Sequence, residues 1–297
     1  MEENTTTLRK IETFHNKHYK TLLLIPILLI LFSFVYLGIF YQKNNDFIYK
    51  DISLTGGTIV TIQDKIAASK IKLDLADKLD DINTREIYDL TTREQKAVII
   101  ETKSSPEQTK QILEEYLGYS LNEQNSSFEF TGSQLSETFY RQLIIAIIFA
   151  FLLMAIVVFI LFRTFVPSLA VIFSAFADIL MTLVVVDLFG IKMSSAGIVA
   201  FLMLIGYSVD TDILLTNRIL KRSEGTLNER IFNAFKTGVT MTLTSFVAVF
   251  CAFLIVRSFS FTLAQIFTIL CIGLLFDILN TWITNVSILK WYVEKKS

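Results

Sequence analysis

Residues that break helices and residues that carry side-chain chemistry are both scarce in this sequence. Its 297 positions hold three prolines, 11 glycines, two cysteines and two histidines. So little proline and glycine excludes a loop-rich or low-complexity chain. Cys251 and Cys271 stand in separate apolar runs with no CxxC and no histidine beside them, which argues against a disulfide framework, a zinc site or a redox pair. They read as small packing residues. Both histidines, His15 and His18, precede the first apolar run and are expected across the membrane from the polar 42–142 segment, in which no Ser/His/Asp set, metal cluster or phosphate-binding loop occurs. Neither an enzyme active site nor a cofactor is expected. Excess charge is missing too, the net value being -1, which leaves no basic surface for nucleic acid.

Apolar residues are abundant: 53% of the chain is hydrophobic, 26 residues are phenylalanine, and the mean hydropathy is +0.54. A spanning helix needs about 20 apolar residues, and the pattern supplies six such stretches, at 21–41, 143–162, 167–186, 193–215, 238–256 and 261–289. The first lacks a small-residue cleavage site and is expected to remain as an anchor. Six crossings put both termini on one side. Lys and Arg choose that side, because short cytoplasmic loops hold most of them. Arg9, Lys10, Lys17 and Lys20 precede the first span, Arg218, Lys221, Arg222, Arg230 and Lys236 fill 216–237, and Lys290, Lys295 and Lys296 end the chain, whereas Lys192 and Arg257 occupy the opposite loops. The N-terminal segment 1–20, the loop 216–237 and the tail 290–297 are therefore expected in the cytoplasm of a cell-membrane protein, and the segment 42–142 outside. Arg163, Arg218 and Lys236 are placed to reach lipid headgroups, and Trp282, Trp291 and Tyr292 to sit at the membrane interface.

The 42–142 segment is polar. A β-branched strand is expected at 58–63 after the Gly56-Gly57 turn, further strands at 85–90 and 97–102, and helices at 69–79 and 106–117, the second opened by Ser105, Pro106 and Glu107. That order suggests a small α+β sandwich of ferredoxin-like type inserted between helices 1 and 2. It reads as a binding or positioning unit.

Four aspartates lie inside the expected spans: Asp178, Asp210, Asp212 and Asp277. Each costs about 2.5–3.5 kcal/mol on insertion scales, so each needs a reason to face inward. With a rise of 1.5 Å per residue, Asp178 lies about 16 Å along its span, and Asp210 and Asp277 about 24 Å along theirs. Residues three and four apart share a helix face. Gly273, Asp277, Asn280, Thr281 and Thr284 thus form one polar stripe, and Ser174, Asp178 and Thr182 another. Thr237, Thr240, Thr244, Ala248 and Cys251 form a stripe of small residues on the fifth span. On the fourth, Gly206, Asp210 and Asn217 share a face, while Asp212 points about 200° away with Ser208, which ranks Asp210 ahead of Asp212. Gly206, Ala248 and Gly273 would let helices approach closely. Such acids either load and release protons or remain neutral and tie helices together.

The run Gly206-Tyr207-Ser208-Val209-Asp210-Thr211-Asp212, followed by Asn217-Arg218-Ile219, resembles the fourth-span signature of the SecF family of protein-export membrane proteins. Arg163 with Pro167, Ala177-Asp178, the stretch Thr237-Gly238-Val239-Thr240-Met241-Thr242 and the turn Gly56-Gly57-Thr58 fit the same pattern. The run from Phe276 to Trp282 looks like the archaeal branch. The bacterial form usually has Asn-Asp where this chain has Asp210-Thr211, and Ala177 replaces the family's histidine. The resemblance implies half of an RND-superfamily bundle with six transmembrane helices. It further implies association with SecD beside the SecYE channel, help to an exported polypeptide late in its passage, and use of a proton or sodium gradient. Asp210, Asp178 and Asp277 would then form an ion-responsive cluster with Asp212 nearby, and Gly206, Asn280, Thr281, Thr240 and Thr244 would support it.

Rival readings differ in what they require. A small-molecule or lipid exporter of the same superfamily needs two six-span halves, and this chain has one. An intramembrane aspartyl protease would use two acids sharing a proton, but its Tyr-Asp and Gly-x-Gly-Asp motifs are absent. A scaffold that couples no ion would need the acids only as helix ties.

Overall fold

The computed structural model describes residues 19–89, 91–221 and 225–296. Arg9, Lys10, Lys17, His15, His18, Leu90 and Arg222 lie outside the described residues. Helix α1 (Leu24–Asn44) continues a helical run that starts at Tyr19. It ends where Asn45 turns left-handed at φ 54°. A short helix α2 (Ile52–Thr55) then leads into the external unit. Ordered along the chain, this unit is β1 (Gly57–Ile62), α3 (Ala68–Leu75), β2 (Asn83–Tyr88), β3 (Gln95–Thr102), α4 (Pro106–Leu117) and β4 (Ser126–Thr131). The long helices that follow are α5 (Ser133–Phe162), α6 (Phe165–Leu188), α7 (Ser195–Lys221), α8 (Leu227–Val256) and α9 (Phe261–Leu279). A π-helical segment, Asn280–Asn285, joins α9 to α10 (Val286–Lys296).

All strand pairs are antiparallel, in the order β2-β3-β1-β4. Alternation sends Val60 and Ile62 of β1 and Val98 and Ile100 of β3 to one face, where they meet Ile71 and Leu75 of α3 and Leu113 of α4. Helix α4 starts where the sequence places it, because Ser105 Oγ accepts from the Gln108 amide and Pro106 loses no helical hydrogen bond. It ends at Gly118, whose φ of 77° suits a residue without a Cβ. Strand β4 was not expected, since SSFEFT is short and half polar; it forms because β1 offers it a free edge.

Among the described residues, six helical runs are long and apolar enough to cross a membrane. Several outlast the expected spans. Helix α5 starts at Ser133 directly after the sheet, inside the segment read as external, because Glu137 and Arg141 pair one turn apart above the apolar run. Helix α8 starts at Leu227 within the expected 216–237 loop. There Thr226 and Glu229 form a reciprocal capping box that satisfies two otherwise orphaned amides.

Helices α6 and α7 are the buried centre of the bundle, and α1, α5 and α8 are more peripheral. Without a hydrophobic drive inside lipid, close packing of small residues has to hold helices together. Ala170, Ser174, Ala175 and Ala177 of α6 are all buried. Leu204 occupies the space that a Cβ on Gly273 would need, and the Trp282 ring does so at Gly238. Trp282 itself is buried, edge-on to Phe235 at 5.2 Å, and is a core residue in place of the interfacial anchor expected. Gly206 has no neighbour within contact of its Cβ position, and Ala248 is exposed, so neither brings helices together within this chain.

The sheet unit, expected from the sequence to be external, is stitched to the loops that join α6 to α7 and α8 to α9. Asp51 N-H donates to the Met193 carbonyl at 3.0 Å, and Tyr88 N-H donates to the Ser258 carbonyl at 3.0 Å. Lys192 pairs with Asp81 at 2.7 Å, and the Arg85 guanidinium lies 3.6 Å over the Phe261 ring while pairing with Glu101. Burial pushes Arg85 down to about 10, against the opposing pull of Asp51.

A buried carboxyl cluster at mid-membrane depth

Three acids meet inside the bundle. Asp178 of α6, Asp212 of α7 and Asp277 of α9 are each 0% exposed. Asp178 Oδ2 accepts from the Ser208 hydroxyl at 2.5 Å and Oδ1 from the Asn280 amide at 2.7 Å. Asp212 Oδ1 accepts from Thr281 at 2.9 Å and from Asn285 at 2.7 Å, and the Ser174 hydroxyl lies beside the same carboxyl. Asp277 contacts Thr281 through Oδ1 and Thr242 through Oδ2, both at 3.2 Å. Thr284 donates to Asn280 Oδ1 at 3.1 Å, which fixes that amide with its NH2 toward Asp178. No ion pair reaches any of the three among the described residues.

The π-helical segment makes this possible. Its wider turn carries Asn280, Thr281, Thr284 and Asn285, all buried, into the centre of the bundle. Departures of this kind are frequent at functional sites. By rise along the helix, Asp178 sits about 20 Å from the start of α6, near the middle of a hydrocarbon layer about 30 Å thick.

Thr281 has one hydroxyl hydrogen and faces two carboxyls. It can donate to only one of them at a time, so which acid it serves is linked to whether the other carries a proton.

The structure reverses the expected order of the two α7 acids. Asp212 and Ser208 face the centre, whereas Gly206, Asp210 and Asn217 point out of the bundle. Asp210 makes no hydrogen bond or ion pair among the described residues, and Tyr207 beside it is 39% exposed. The face shared by Gly206, Asp210 and Asn217 was identified correctly in the sequence; its direction was not, because the opposite face holds Leu204, Leu215 and Ile219, which pack into the core. Thr240 and Thr244 also lie outward, and their hydroxyls bond back to Lys236 and Thr240 carbonyls of their own helix. On α8 it is Gly238 and Thr242, in line with the buried Ile231 and Ala234, that face inward. Asn285 and Thr242 were not singled out as site residues, although Asn285 lies one turn past Thr281 and Thr242 ends the Thr237–Thr242 stretch.

Fold and site together define a helical multi-pass membrane protein with an inserted α/β unit and an uncompensated acid cluster in its bundle. Residues 110–295 match the family described as protein export membrane protein SecD/SecF, C-terminal. The protein-export membrane protein SecF of Methanocaldococcus jannaschii is 40% identical over 284 residues, covering 94% of this chain and 97% of that one. The SecF of Pyrococcus furiosus is 33% identical over 278 residues, covering 93% and 92%. The chain belongs to the SecD/SecF family of protein-export membrane proteins, within its SecF group. The same fold occurs in the crystal structure of SecDF, a translocon-associated membrane protein from Thermus thermophilus, with a TM-score of 0.72 at 16% identity over 93% of this chain. This chain spans 38% of that SecDF chain.

Proposed function

We propose that this chain is the SecF-type partner of a SecD subunit, and that the pair helps polypeptides complete export through the SecYE channel using an ion gradient, with no chemical step or cofactor of its own. The observation that carries this reading is the trio Asp178, Asp212 and Asp277, fully buried with no ion pair among the described residues and with Thr281 set between two of its carboxyls. Loss of a proton from it would leave charge in a low-dielectric site, which favours a different helix arrangement and access to water. Protonation and helix position are then linked.

The outward polar face supports a partner within the membrane. An acid exposed to lipid costs about 2.5–3.5 kcal/mol, so Asp210, with Gly206, Tyr207 and Asn217, needs a second subunit to cover it. SecD is the partner we assign, because the relatives carry the SecF name and the matched fold lies in a SecDF chain. The order β1-α3-β2-β3-α4-β4 and the sheet order favour a ferredoxin-like external unit. Its place outside the cell, with both termini cytoplasmic, follows from the Lys and Arg distribution. There it would meet the emerging chain.

The test is export of a secreted reporter in cells carrying Asp178→Asn, Asp212→Asn or Asp277→Asn, with SecD association measured alongside. Ion coupling predicts lost export with intact association. Normal export in all three would overturn it, and lost association alone would favour a scaffold held together by acid hydrogen bonds. Asp210→Leu is expected to do the reverse of the trio by weakening association first.

A further inference from the structure

A fourth buried acid lies apart from the trio. Asp187, on the last turn of α6, is 3% exposed, and neither of its oxygens has a hydrogen-bond partner of good geometry. The groups facing it are the backbone of Tyr49 and the Asp46 carboxylate from the linker after α1, and the Tyr36 hydroxyl from α1 itself. Asp46 is already engaged: Lys50 pairs with it, and Tyr140 of α5 donates to it at 3.1 Å. Lys50 also lies 3.9 Å from the centre of the Tyr140 ring. No lysine or arginine pairs with Asp187 among the described residues. A buried carboxylate with one poorly aligned backbone donor, from Tyr49, and no paired cation is unfavourable, so the site calls for a proton.

The surroundings suggest what that proton does. The Tyr49 whose backbone faces Asp187 also accepts, through its carbonyl, from the Met193 amide, and the next link is Asp51 N-H to the Met193 carbonyl. Its ring stands edge-on to Phe40 of α1 at 4.8 Å. Asp187 therefore lies beneath the stitch that holds the root of the external unit to the α6–α7 loop. We propose that Asp187 is a proton-binding carboxyl at the outer end of the bundle, separate from the mid-depth trio, and that its protonation keeps the root of the external unit seated on the membrane helices. Ionisation would place an unpaired negative charge under Tyr49 and beside Asp46, admit water, and lift the linker 45–50, whose Ile48 is buried against the bundle. No bond forms or breaks other than to the proton, which exchanges with outside water.

Inward, the Thr182 hydroxyl is fully buried and has no partner. It shares a helix face with Asp178, one turn away, whereas Asp187, five residues on, projects about 140° from it. Any use of Asp187 to feed the trio rests on the ion-coupled reading above; its proton binding and its hold on the linker do not.

The test uses the full chain with SecD in lipid nanodiscs. Infrared difference spectra across a pH titration are expected to show a protonated-carboxyl band that is absent from Asp187→Asn and still present in Asp178→Asn. Amide exchange, corrected for intrinsic rate, is expected to lose about tenfold protection at 46–51 as Asp187 ionises. That loss should vanish in Asp187→Asn and return, at a shifted pH, in Asp187→Glu. An unchanged infrared band in Asp187→Asn, or the same exchange profile in Asp187→Asn as in the parent, overturns the proposal. Lost export in the trio variants with no Asp187 signal would sink this inference and leave the ion-coupled reading standing. An Asp187 signal with export indifferent to the trio would do the opposite.

Discussion

Thr281 shows how much one side chain decides. It joins Asp212 and Asp277, which come from different helices, through one hydroxyl that cannot donate to both. Thr281→Val keeps the shape and removes the bridge, leaving two buried acids short of a partner. We expect a loss of about 1–3 kcal/mol in stability, read as a lower midpoint of thermal unfolding in detergent, together with reduced reporter export. Thr281→Ser should restore both. If Val and Ser behave alike, the hydroxyl bridge is irrelevant. Residue identity was legible here, as Asp277 and Thr281 fall on one stripe four residues apart. Their meeting with Asp212 was not, because which face of α7 points inward depends on what α6 and α9 press against it.

At the level of elements, the π-helical segment and the glycines act together. Where Asn280–Asn285 widens the turn, Trp282 is carried against Gly238 of α8 and Asn285 against Asp212. A methyl added at Gly238 or Gly273 would collide with Trp282 or Leu204. Gly238→Ala and Gly273→Ala are expected to cost about 1–3 kcal/mol each through overpacking, measured as thermal stability of the purified chain. Gly206→Ala meets open space and should leave that stability unchanged while weakening SecD association. Equal melting of all three variants would contradict the packing described. The sequence shows the small residues but not their partners, since an irregular helical turn leaves no periodic signal.

Across the whole molecule, the external unit and the bundle form one body through a few polar stitches. Asp81 is central to them, bonded to Lys192 of the bundle and Lys103 of the sheet. Burial raises its carboxyl, but the two lysines outweigh this and hold it below its ordinary value of 3.8. A depressed carboxyl contributes stability above its unfolded value and loses it as pH falls through the folded one. Docking of the external unit is therefore expected to weaken only in acid, below about pH 4, the opposite direction from the effect of Asp187. Amide exchange at Asp51, Tyr88 and Met193, corrected for intrinsic rate, should lose protection as pH falls below about 4, and Asp81→Asn should remove that pH dependence. Protection insensitive to acid in the parent would show that Asp81 does not carry the seam.

The sequence alone determined that the chain carries six stretches long and apolar enough to cross a bilayer, that acids lie within them, and that a strand-helix unit interrupts the first two. These follow from composition and period, which are local quantities set by transfer free energy and helix geometry. Tertiary structure decided which acids gather. A helical wheel tells which residues share a face, but only packing against neighbouring helices tells whether that face looks inward. So Asp212 joined Asp178 and Asp277, Asp210 was left on the outward face, and Asp187, just past the expected end of its span, became a buried acid beneath the linker.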